Sequence, residues 1–217
     1  MFGLAHRPSD NMDDDASSSP LAAGQLVWHA GQVSTDERER MLGQKARTLW
    51  LTGLSAAGKS TLAFALERTL HDRGCACYVL DGDNVRHGLN RDLGFSLEHR
   101  SENLRRIAEV ARLMNDAGLI VITAFISPRQ ADRASAQQII GADRFLEVYV
   151  STPLSVCEAR DPKGFYGQAR RGELAEFTGI SSPYEAPARP ALAIDTERIS
   201  LTDAVAQLTV LLLTART

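Results

Sequence analysis

One segment of the sequence has the residue types and the spacing that bind phosphate groups. It reads G-L-S-A-A-G-K-S from Gly53 to Ser60 and matches G-x-x-x-x-G-K-[ST] at every fixed position. Glycines allow the backbone to curl so that successive N–H groups point at phosphate oxygens, and a helix after the loop adds its positive N-terminal end. The pattern predicts ATP binding, with Lys59 on the outer phosphates and the Ser60 hydroxyl on Mg²⁺. The predicted nucleotide-binding residues are Gly53, Leu54, Ser55, Ala56, Ala57, Gly58, Lys59, Ser60 and Thr61.

Motors, GTPases, ATPases and kinases all share such a loop, and other parts of the sequence separate these classes. The chain contains no N-K-x-D, the motif with which GTPases bind guanine. With 217 residues it is also short for an ATPase motor. These features favour a kinase that phosphorylates a small metabolite.

Two carboxylates, Asp81 and Asp83, follow the second apolar segment. Ligands gather at the carboxyl ends of strands in a parallel α/β sheet, so both carboxylates are expected to face the phosphates. Phosphoryl transfer to an alcohol needs one carboxylate near the hydroxyl and another for hydrated Mg²⁺. We expect Asp81 to ligate the metal with Ser60 and Asp83 to contact the acceptor, and either carboxylate could be the catalytic base. The alternative is a D-G-D turn whose acids cap the next helix.

The elements that must position these residues alternate between strands and helices. Nearly continuous apolar runs predict strands at 48–52, 76–80, 119–124, 145–150 and, as a short fifth, 193–195. Helical patterns lie at 59–73, 99–117, 129–140, 153–160 and 201–215. An earlier helix is expected to begin at Thr35 as its cap. This alternation predicts a doubly wound α/β fold with a mainly parallel sheet and helices on both faces.

The chain is expected to form one domain with a tail. Residues 1–24, rich in Asp and Ser, predict a disordered tail, and residues 25–217 predict a P-loop kinase domain. Residues 161–190 are rich in Gly, Pro and charge and are too long for a connecting loop. They predict a lid segment, and Arg160 and Lys163 at its start are expected to cover ATP. The alternative for these two cations is a solvated basic face.

The composition argues against several function classes. The net charge is −3 and the pI is near 6.0, so nucleic-acid binding is not expected as the main function. No stretch approaches the roughly 20 apolar residues that span a bilayer, so membrane insertion is not expected. The three cysteines, Cys75, Cys77 and Cys157, match no zinc or thioredoxin spacing and are expected to be reduced thiols of a cytoplasmic protein.

Several separate blocks of the sequence closely resemble adenylyl-sulfate kinases. In that family's order and spacing, they lie at 81–90, 92–96, 100–106, 125–128, 160–164, 176–180 and 183–187. The resemblance implies that the γ-phosphate of ATP is transferred to the ribose 3′-hydroxyl of adenylyl sulfate, giving 3′-phosphoadenylyl sulfate in sulfate assimilation. It also favours a homodimer and leaves open an association with a sulfate adenylyltransferase.

The same resemblance assigns roles on the acceptor side. Arg86 and Arg100 occupy the family's anion-binding positions, which suits the sulfate–phosphate anhydride. Phe95 and Phe177 occupy the positions of an aromatic sandwich around adenine, although a phenylalanine taken alone is more often a core residue. The implied acceptor-binding residues are Asp83, Arg86, Phe95, Arg100, Asn103, Ile126, Ser127 and Phe177.

Ser127 stands at a family position that is often described as a phosphoserine, and is included among the catalytic residues with Lys59 and the two carboxylates. Direct in-line transfer needs only positioning and neutralised charge, so Ser127 is expected to hydrogen-bond the acceptor and to carry no phosphate. The sequence departs from the family nearby, with Arg129 one position before the family's usual arginine. Ala56 also replaces a frequent glycine.

Two alternatives stay open at this point. One is a P-loop kinase of another small alcohol, against which the paired phenylalanines and the D-G-D-N-V-R block weigh. The other is a non-catalytic nucleotide-binding partner of a sulfate-activating complex. The presence of Lys59, Ser60 and both carboxylates weighs against that second alternative.

Overall fold

The computed structural model describes residues 27 and 29–214, and the tail predicted at 1–24 lies outside this part of the chain. Its strands are β1 (Thr48–Thr52), β2 (Cys77–Asp81), β3 (Ile120–Ala124), β4 (Phe145–Val150) and β5 (Leu192–Ile194). Its α-helices are α1 (Thr35–Leu42), α2 (Lys59–Asp72), α3 (Leu97–Asp116), α4 (Gln130–Ile140), α5 (Leu154–Arg160), α6 (Phe165–Arg170) and α7 (Leu201–Thr214). Every strand and helix predicted from the sequence is present, with small shifts in the bounds.

The five strands form one parallel sheet in the order β2-β3-β1-β4-β5. β1 lies in the centre, where Leu51 pairs with Ala124 of β3 on one side and with Val148 of β4 on the other. Every residue of β1 is buried, as a strand covered on both faces requires. The loops that follow these strands therefore meet at one edge of the sheet.

Two hydrophobic clusters cover the two faces of the sheet. On one face Leu49 and Leu51 pack with buried residues of α2 and α7, and on the other face Trp50 packs with buried residues of α3 and α4. Because successive residues of a strand point to opposite faces, β1 contributes to both clusters. The predicted doubly wound α/β fold is confirmed.

The predicted cap of α1 is wrong by one residue. Ser34, not Thr35, is the N-cap: its hydroxyl accepts the N–H of Glu37, and the Glu37 carboxylate accepts the N–H of Ser34. This reciprocal capping box satisfies two backbone donors at once, which Thr35 could not do. α3 likewise begins two residues before its predicted start, because the Ser96 hydroxyl accepts the N–H of His99.

The segment predicted as a lid contains α6 and an isolated bridge between Thr178 and Ser182. Most of its other residues have no regular structure. No helix within residues 29–214 is long and apolar enough to cross a membrane.

Candidate active site

The phosphate-binding loop joins the end of β1 to the start of α2, as the sequence predicts. Gly53 has a positive φ, and a Cβ there would lie 2.5 Å from the carbonyl oxygen of Val150, so only glycine fits. On the outer side of the loop, the carbonyl of Ala57 accepts hydrogen bonds from the hydroxyls of Thr152 and Thr196, at 3.0 and 2.9 Å. The loop is therefore held by residues that follow β4 and β5.

Lys59 is buried inside the loop. Its ammonium group donates to the carbonyl oxygens of Gly53 and Leu54, at 2.9 and 2.6 Å. Burial lowers the pKa of Lys59 to about 8, although the Cys157, Asp81 and Asp83 side chains act in the opposite direction. The ammonium is thus fixed at the place where phosphate oxygens would enter.

Ser60 and Asp81 meet where α2 begins and β2 ends. The Ser60 hydroxyl donates to one carboxylate oxygen of Asp81 at 2.7 Å, and the other oxygen accepts the N–H groups of Asp83 and Asn84. Asp81 therefore binds two backbone N–H groups at the start of the following 3₁₀ helix, Asn84–His87, while it presents an oxygen to Ser60; Asp83, the N-cap residue, makes no side-chain cap. A hydroxyl and a carboxylate suit Mg²⁺, which takes few protein ligands beside substrate phosphates. Within residues 29–214 no cluster of three or more His, Cys, Asp or Glu side chains offers an all-protein metal site.

Asp83 differs from Asp81 in its surroundings. Its carboxylate is exposed and forms an ion pair with Lys163 of the predicted lid segment. Lys163 also lies 5.8 Å from the centre of the Phe165 ring. The structure therefore pairs Lys163 with Asp83, the carboxylate that the sequence analysis expected at the acceptor, and its predicted contact with ATP stays a prediction.

Arg160, the other cation at the start of the predicted lid, lies beside the phosphate-binding loop. Its guanidinium donates to the Thr196 hydroxyl at 2.8 Å, to the Thr196 carbonyl at 3.2 Å and to the Ala56 carbonyl at 3.4 Å. These contacts do not fit the alternative that Arg160 belongs to a solvated basic face. Thr196, which the sequence analysis missed, joins Arg160 to the loop.

Two guanidinium groups, those of Arg86 and Arg100, lie where the sequence analysis expected the acceptor to bind. Arg86 donates to the carbonyls of Leu93 and Gly94, and its Cζ lies 4.4 Å from the centre of the Phe95 ring. Burial lowers the pKa of Arg86, and the positive charge of Arg100 lowers it further. Two guanidinium groups that interact in this way suit an anionic ligand.

Arg100 also links the two predicted aromatic contacts. Its guanidinium donates to the carbonyl of Phe95 at 2.8 Å and to the carbonyl of Glu176, next to Phe177, at 3.0 Å. Phe95 is 67% exposed. Phe177 is half-buried against the core, with its ring edge-on to Tyr166 at 5.0 Å. The two phenylalanines therefore flank Arg100 but have unequal surroundings.

Ser127 lies just after β3 and is only 2% exposed. Its hydroxyl accepts the indole N–H of Trp50 at 3.1 Å, and its φ of 38° is in the left-handed region that non-glycine residues rarely adopt. The neighbouring Ile126 carbonyl accepts the N–H of Gly53 and the hydroxyl of Thr52. The turn after β3 is thereby joined to the start of the phosphate-binding loop.

The backbone of this turn depends on Arg133, which the sequence analysis missed. Arg133 is buried, pairs with Glu147 at 2.6 Å, and donates to the carbonyls of Ser127 and Glu185 at 2.8 and 2.7 Å. A signal for its burial exists in the sequence, because Ala136 and Ile140 follow at three and seven positions on the same helical face. Arg129 extends toward α3 and lies 3.5 Å from the Ser101 hydroxyl.

Comparison with known proteins identifies the family. The adenylylsulphate kinase family model matches residues 45–195 of this chain. The chain belongs to the adenylyl-sulfate kinase family. An adenylyl-sulfate kinase of Klebsiella pneumoniae is 57% identical over 183 residues, which cover 84% of this chain and 90% of that protein. One from Shewanella denitrificans is 61% identical over 173 residues, which cover 80% and 84% of the two chains. The predicted ATP-dependent adenylyl-sulfate kinase is confirmed.

Solved structures of adenylyl-sulfate kinases share this fold. The Mycobacterium tuberculosis APS kinase CysC, in complex with AMPPNP and APS, is 48% identical with a TM-score of 0.74. The match covers 77% of this chain and 98% of the other. A sugar kinase from Janibacter, at 17% identity and a TM-score of 0.50, shares the fold alone. The prediction of a P-loop kinase fold is confirmed.

Proposed function

We propose that this adenylyl-sulfate kinase divides its reaction between two parts of the site. The nucleotide half (residues 53–61 with Asp81) holds ATP, and the acceptor half (residues 83–103 with Ile126, Ser127 and Phe177) holds adenylyl sulfate. The γ-phosphate passes to the ribose 3′-hydroxyl, which yields 3′-phosphoadenylyl sulfate and ADP. The observation that carries this proposal is the 2.7 Å contact between Ser60 and Asp81, because it joins the loop to the strand end where the acceptor half begins.

The two carboxylates have different roles in this proposal. Asp81 is buried, faces Ser60 and binds the backbone of its own turn, so we assign it with Ser60 to Mg²⁺. Bound there with ATP, Mg²⁺ would neutralise charge on the transferring phosphoryl group. Asp83 is exposed and can exchange Lys163 for a substrate hydroxyl, so we assign it to the acceptor as base.

Substituting each carboxylate by its amide tests this division. Asp81→Asn should raise the Mg²⁺ concentration needed for half-maximal turnover, because a charged oxygen ligand is lost. Asp83→Asn should lower turnover about 10²- to 10⁴-fold at every Mg²⁺ concentration, because the base is lost. The assignment is wrong if Asp83→Asn changes the Mg²⁺ dependence and Asp81→Asn does not.

The acceptor half presents cations and aromatic rings to an anionic nucleotide. We assign Arg86, Arg100 and Asn103 to the sulfate–phosphate anhydride, because guanidinium and amide N–H groups bind anionic oxygens. We assign Phe95 and Phe177 to the two faces of the adenine ring. Ile126 is assigned to the acceptor as an apolar contact beside Ser127.

Ser127 is assigned a positioning role. Its hydroxyl already accepts the N–H of Trp50, and its side chain is enclosed. The hydroxyl is therefore poorly placed to accept a phosphate group from ATP and pass it to the acceptor. In-line transfer from ATP to the acceptor requires no covalent intermediate.

The segment 161–190 is assigned as a lid that covers both halves. Tyr166 donates to the carbonyl of Ser55 in the phosphate-binding loop at 3.0 Å, and Arg100 binds Glu176 and Thr178. Arg160 covers the loop from its outer side, and Lys163 reaches the acceptor half. Because the segment contacts both halves, its closure would exclude water from the reacting groups.

A coupled assay for ADP formation tests the substrate assignment. Adenylyl sulfate should support turnover, whereas its 3′-deoxy analogue should bind and inhibit without being phosphorylated. AMP, which lacks the sulfate, and shikimate should be poor substrates at equal concentration. Equal turnover with AMP would show that Arg86 and Arg100 do not select the anhydride, and turnover with shikimate alone would overturn the acceptor.

We further propose that the chain works in the cytoplasm as a homodimer and allows association with a sulfate adenylyltransferase. All three cysteines are free thiols, which fits a reducing compartment. The exposed aromatic side chains of Phe64 and Tyr78 could be covered by a second copy. A hexameric APS kinase from Thiobacillus denitrificans, 34% identical, shows that a similar protein assembles; this chain covers 31% of it. Light scattering would measure the mass in solution, and a monomer would contradict the dimer.

A further inference from the structure

We propose that Asn90 is a positioning residue that fixes the amide of Asn103 with its NH₂ group toward the acceptor. The inference rests on the proposed function, in which Asn103 binds the anionic part of adenylyl sulfate. Asn90 itself is 0% exposed and cannot touch a substrate, so its effect must pass through Asn103.

The contact between the two amides has a definite direction. Nδ2 of Asn90 donates to Oδ1 of Asn103 at 2.9 Å. Asn103 lies one helical turn after Arg100 on α3, so the two side chains share a face of the helix. Within residues 29–214, Nδ2 of Asn103 has no hydrogen-bond partner, yet it is not among the fully enclosed atoms. The amide oxygen is therefore occupied and the amide NH₂ group is available.

This direction matters because the ligand is an anion. Arg86 and Arg100 offer only N–H donors, and a carbonyl oxygen turned toward the same anion would repel it. An asparagine amide can rotate by half a turn and exchange its donor for its acceptor. The donor that Asn90 turns toward Oδ1 of Asn103 favours the orientation in which the Asn103 NH₂ group faces the ligand.

The other end of the Asn90 amide argues against a purely structural role. Its Oδ1 is buried and has no hydrogen-bond partner among residues 29–214, which destabilises the folded state. Asn115, a buried amide on helix α3, uses both ends: Oδ1 accepts from Thr48 at 2.7 Å and Nδ2 donates to the Leu119 carbonyl at 3.0 Å. A buried amide that only stabilises the fold is expected to bond at both ends, as Asn115 does. Asn90 leaves one end unbonded.

The loop that carries Asn90 is held by other contacts as well. Arg106 binds both carboxylate oxygens of Asp92, at 2.8 and 2.9 Å, and Arg86 binds the carbonyls of Leu93 and Gly94. The backbone of Asn90 is fixed separately by its N–H bond to the Val85 carbonyl at 2.9 Å. Attachment of the loop to α3 therefore does not depend on the Asn90 side chain alone.

The test uses the full chain and measures KM for adenylyl sulfate and for ATP separately. In Asn90→Asp the carboxylate can only accept, so the Asn103 amide turns its NH₂ group inward and its oxygen toward the ligand. We expect KM for adenylyl sulfate to rise about ten- to a hundredfold, the loss of one hydrogen bond to a charged group, with KM for ATP changed less than about twofold. In the Asn103→Ala background, Asn90→Asp should have no further effect on KM for adenylyl sulfate.

Asn115→Asp is the matched control, because it alters a buried amide of α3 away from the acceptor half. It should lower the melting temperature and leave the ratio of the two KM values unchanged. If Asn90→Asp fails to fold, Asn90→Ala gives the same comparison with a smaller expected rise. The proposal is overturned if the Asn90 variants raise both KM values together, as a structural defect would, or fold and leave KM for adenylyl sulfate unchanged. Wild-type protein that fails to phosphorylate adenylyl sulfate would instead refute the proposed function.

Discussion

The nucleotide half and the acceptor half of the site are built in different ways. In the nucleotide half, Lys59 and Asp81 are buried and bonded to nearby backbone, and the loop continues directly from the central strand. In the acceptor half, Phe95 and Asp83 are exposed, and Arg100 connects α3 with a segment more than seventy residues away along the chain. The nucleotide half is therefore formed by the fold itself, whereas the acceptor half depends on contacts with residues 161–190, the proposed lid.

This difference indicates how each half should respond to substitution. Changes in the nucleotide half should affect chemistry, because we assign its groups to the transferred phosphate. Changes in the acceptor half should affect affinity for adenylyl sulfate and the stability of the lid.

The largest effect is expected at Lys59. Lys59→Ala removes the fixed positive charge that we assign to stabilising the transferring phosphoryl group. It should lower turnover about 10³-fold or more. The variant should still fold. Burial of the Lys59 ammonium costs free energy in the wild type, so its removal relieves that cost, and only hydrogen bonds to two backbone carbonyls are lost with it. Turnover is measured in the coupled assay and folding by circular dichroism. Turnover like that of the wild type would refute the assignment of the phosphate-binding loop.

The two phenylalanines sharpen the comparison within the acceptor half. Each substitution to alanine should weaken binding of adenylyl sulfate about ten- to a hundredfold, through loss of stacking on adenine. Phe177→Ala should also lower the free energy of unfolding by about 2 kcal/mol, because its ring packs on Tyr166 and the core. Phe95→Ala, at an exposed position, should leave stability nearly unchanged. Calorimetry and thermal melting measure both quantities, and equal loss of ATP and acceptor affinity in Phe177→Ala would contradict the adenine contact.

A smaller effect is expected at Ser127. Ser127→Ala removes a hydroxyl that accepts from Trp50 and should lower turnover by no more than about tenfold, since in-line transfer needs no covalent intermediate. Quenched reactions with ATP alone should show no phosphoserine. Rapid phosphorylation of Ser127 at a rate that matches turnover would replace the positioning role by a covalent one.

The smallest effect is expected at Ala56, in the nucleotide half. Its φ of 57° is left-handed, a conformation that glycine adopts with less strain. Ala56→Gly should raise the free energy of unfolding by about 1 kcal/mol and leave turnover nearly unchanged. Ala57→Gly is the control, because Ala57 is fully buried and has no positive φ, and this substitution should destabilise. Thermal melting of both variants separates the two cases.

The sequence predicts the nucleotide half almost completely because its determinants are local. A continuous apolar strand, a glycine-rich loop and a helix follow one another within residues 48–72, and all three are in the structure. The cap at Ser34 can also be predicted from the sequence, since Glu37 stands three residues later and completes a capping box.

The acceptor half is harder to predict because its contacts join distant parts of the chain. The pairing of Lys163 with Asp83 spans 80 residues, and the bond from Arg133 to Glu185 spans 52 residues. Neither spacing is a pattern that periodicity can detect. The resemblance to a family named the residues, but not the asymmetry between Phe95 and Phe177, which depends on the packing of Tyr166.

Arg133 has a consequence for the order in which the molecule folds. Burial of its guanidinium requires hydrogen-bond partners from three separate segments, at Ser127, Glu147 and Glu185. The last of these requires closure of the longest loop, and that step loses the most chain entropy. We therefore expect the central sheet to become native first, and α4 to reach its final packing together with residues 183–187, late on the folding pathway.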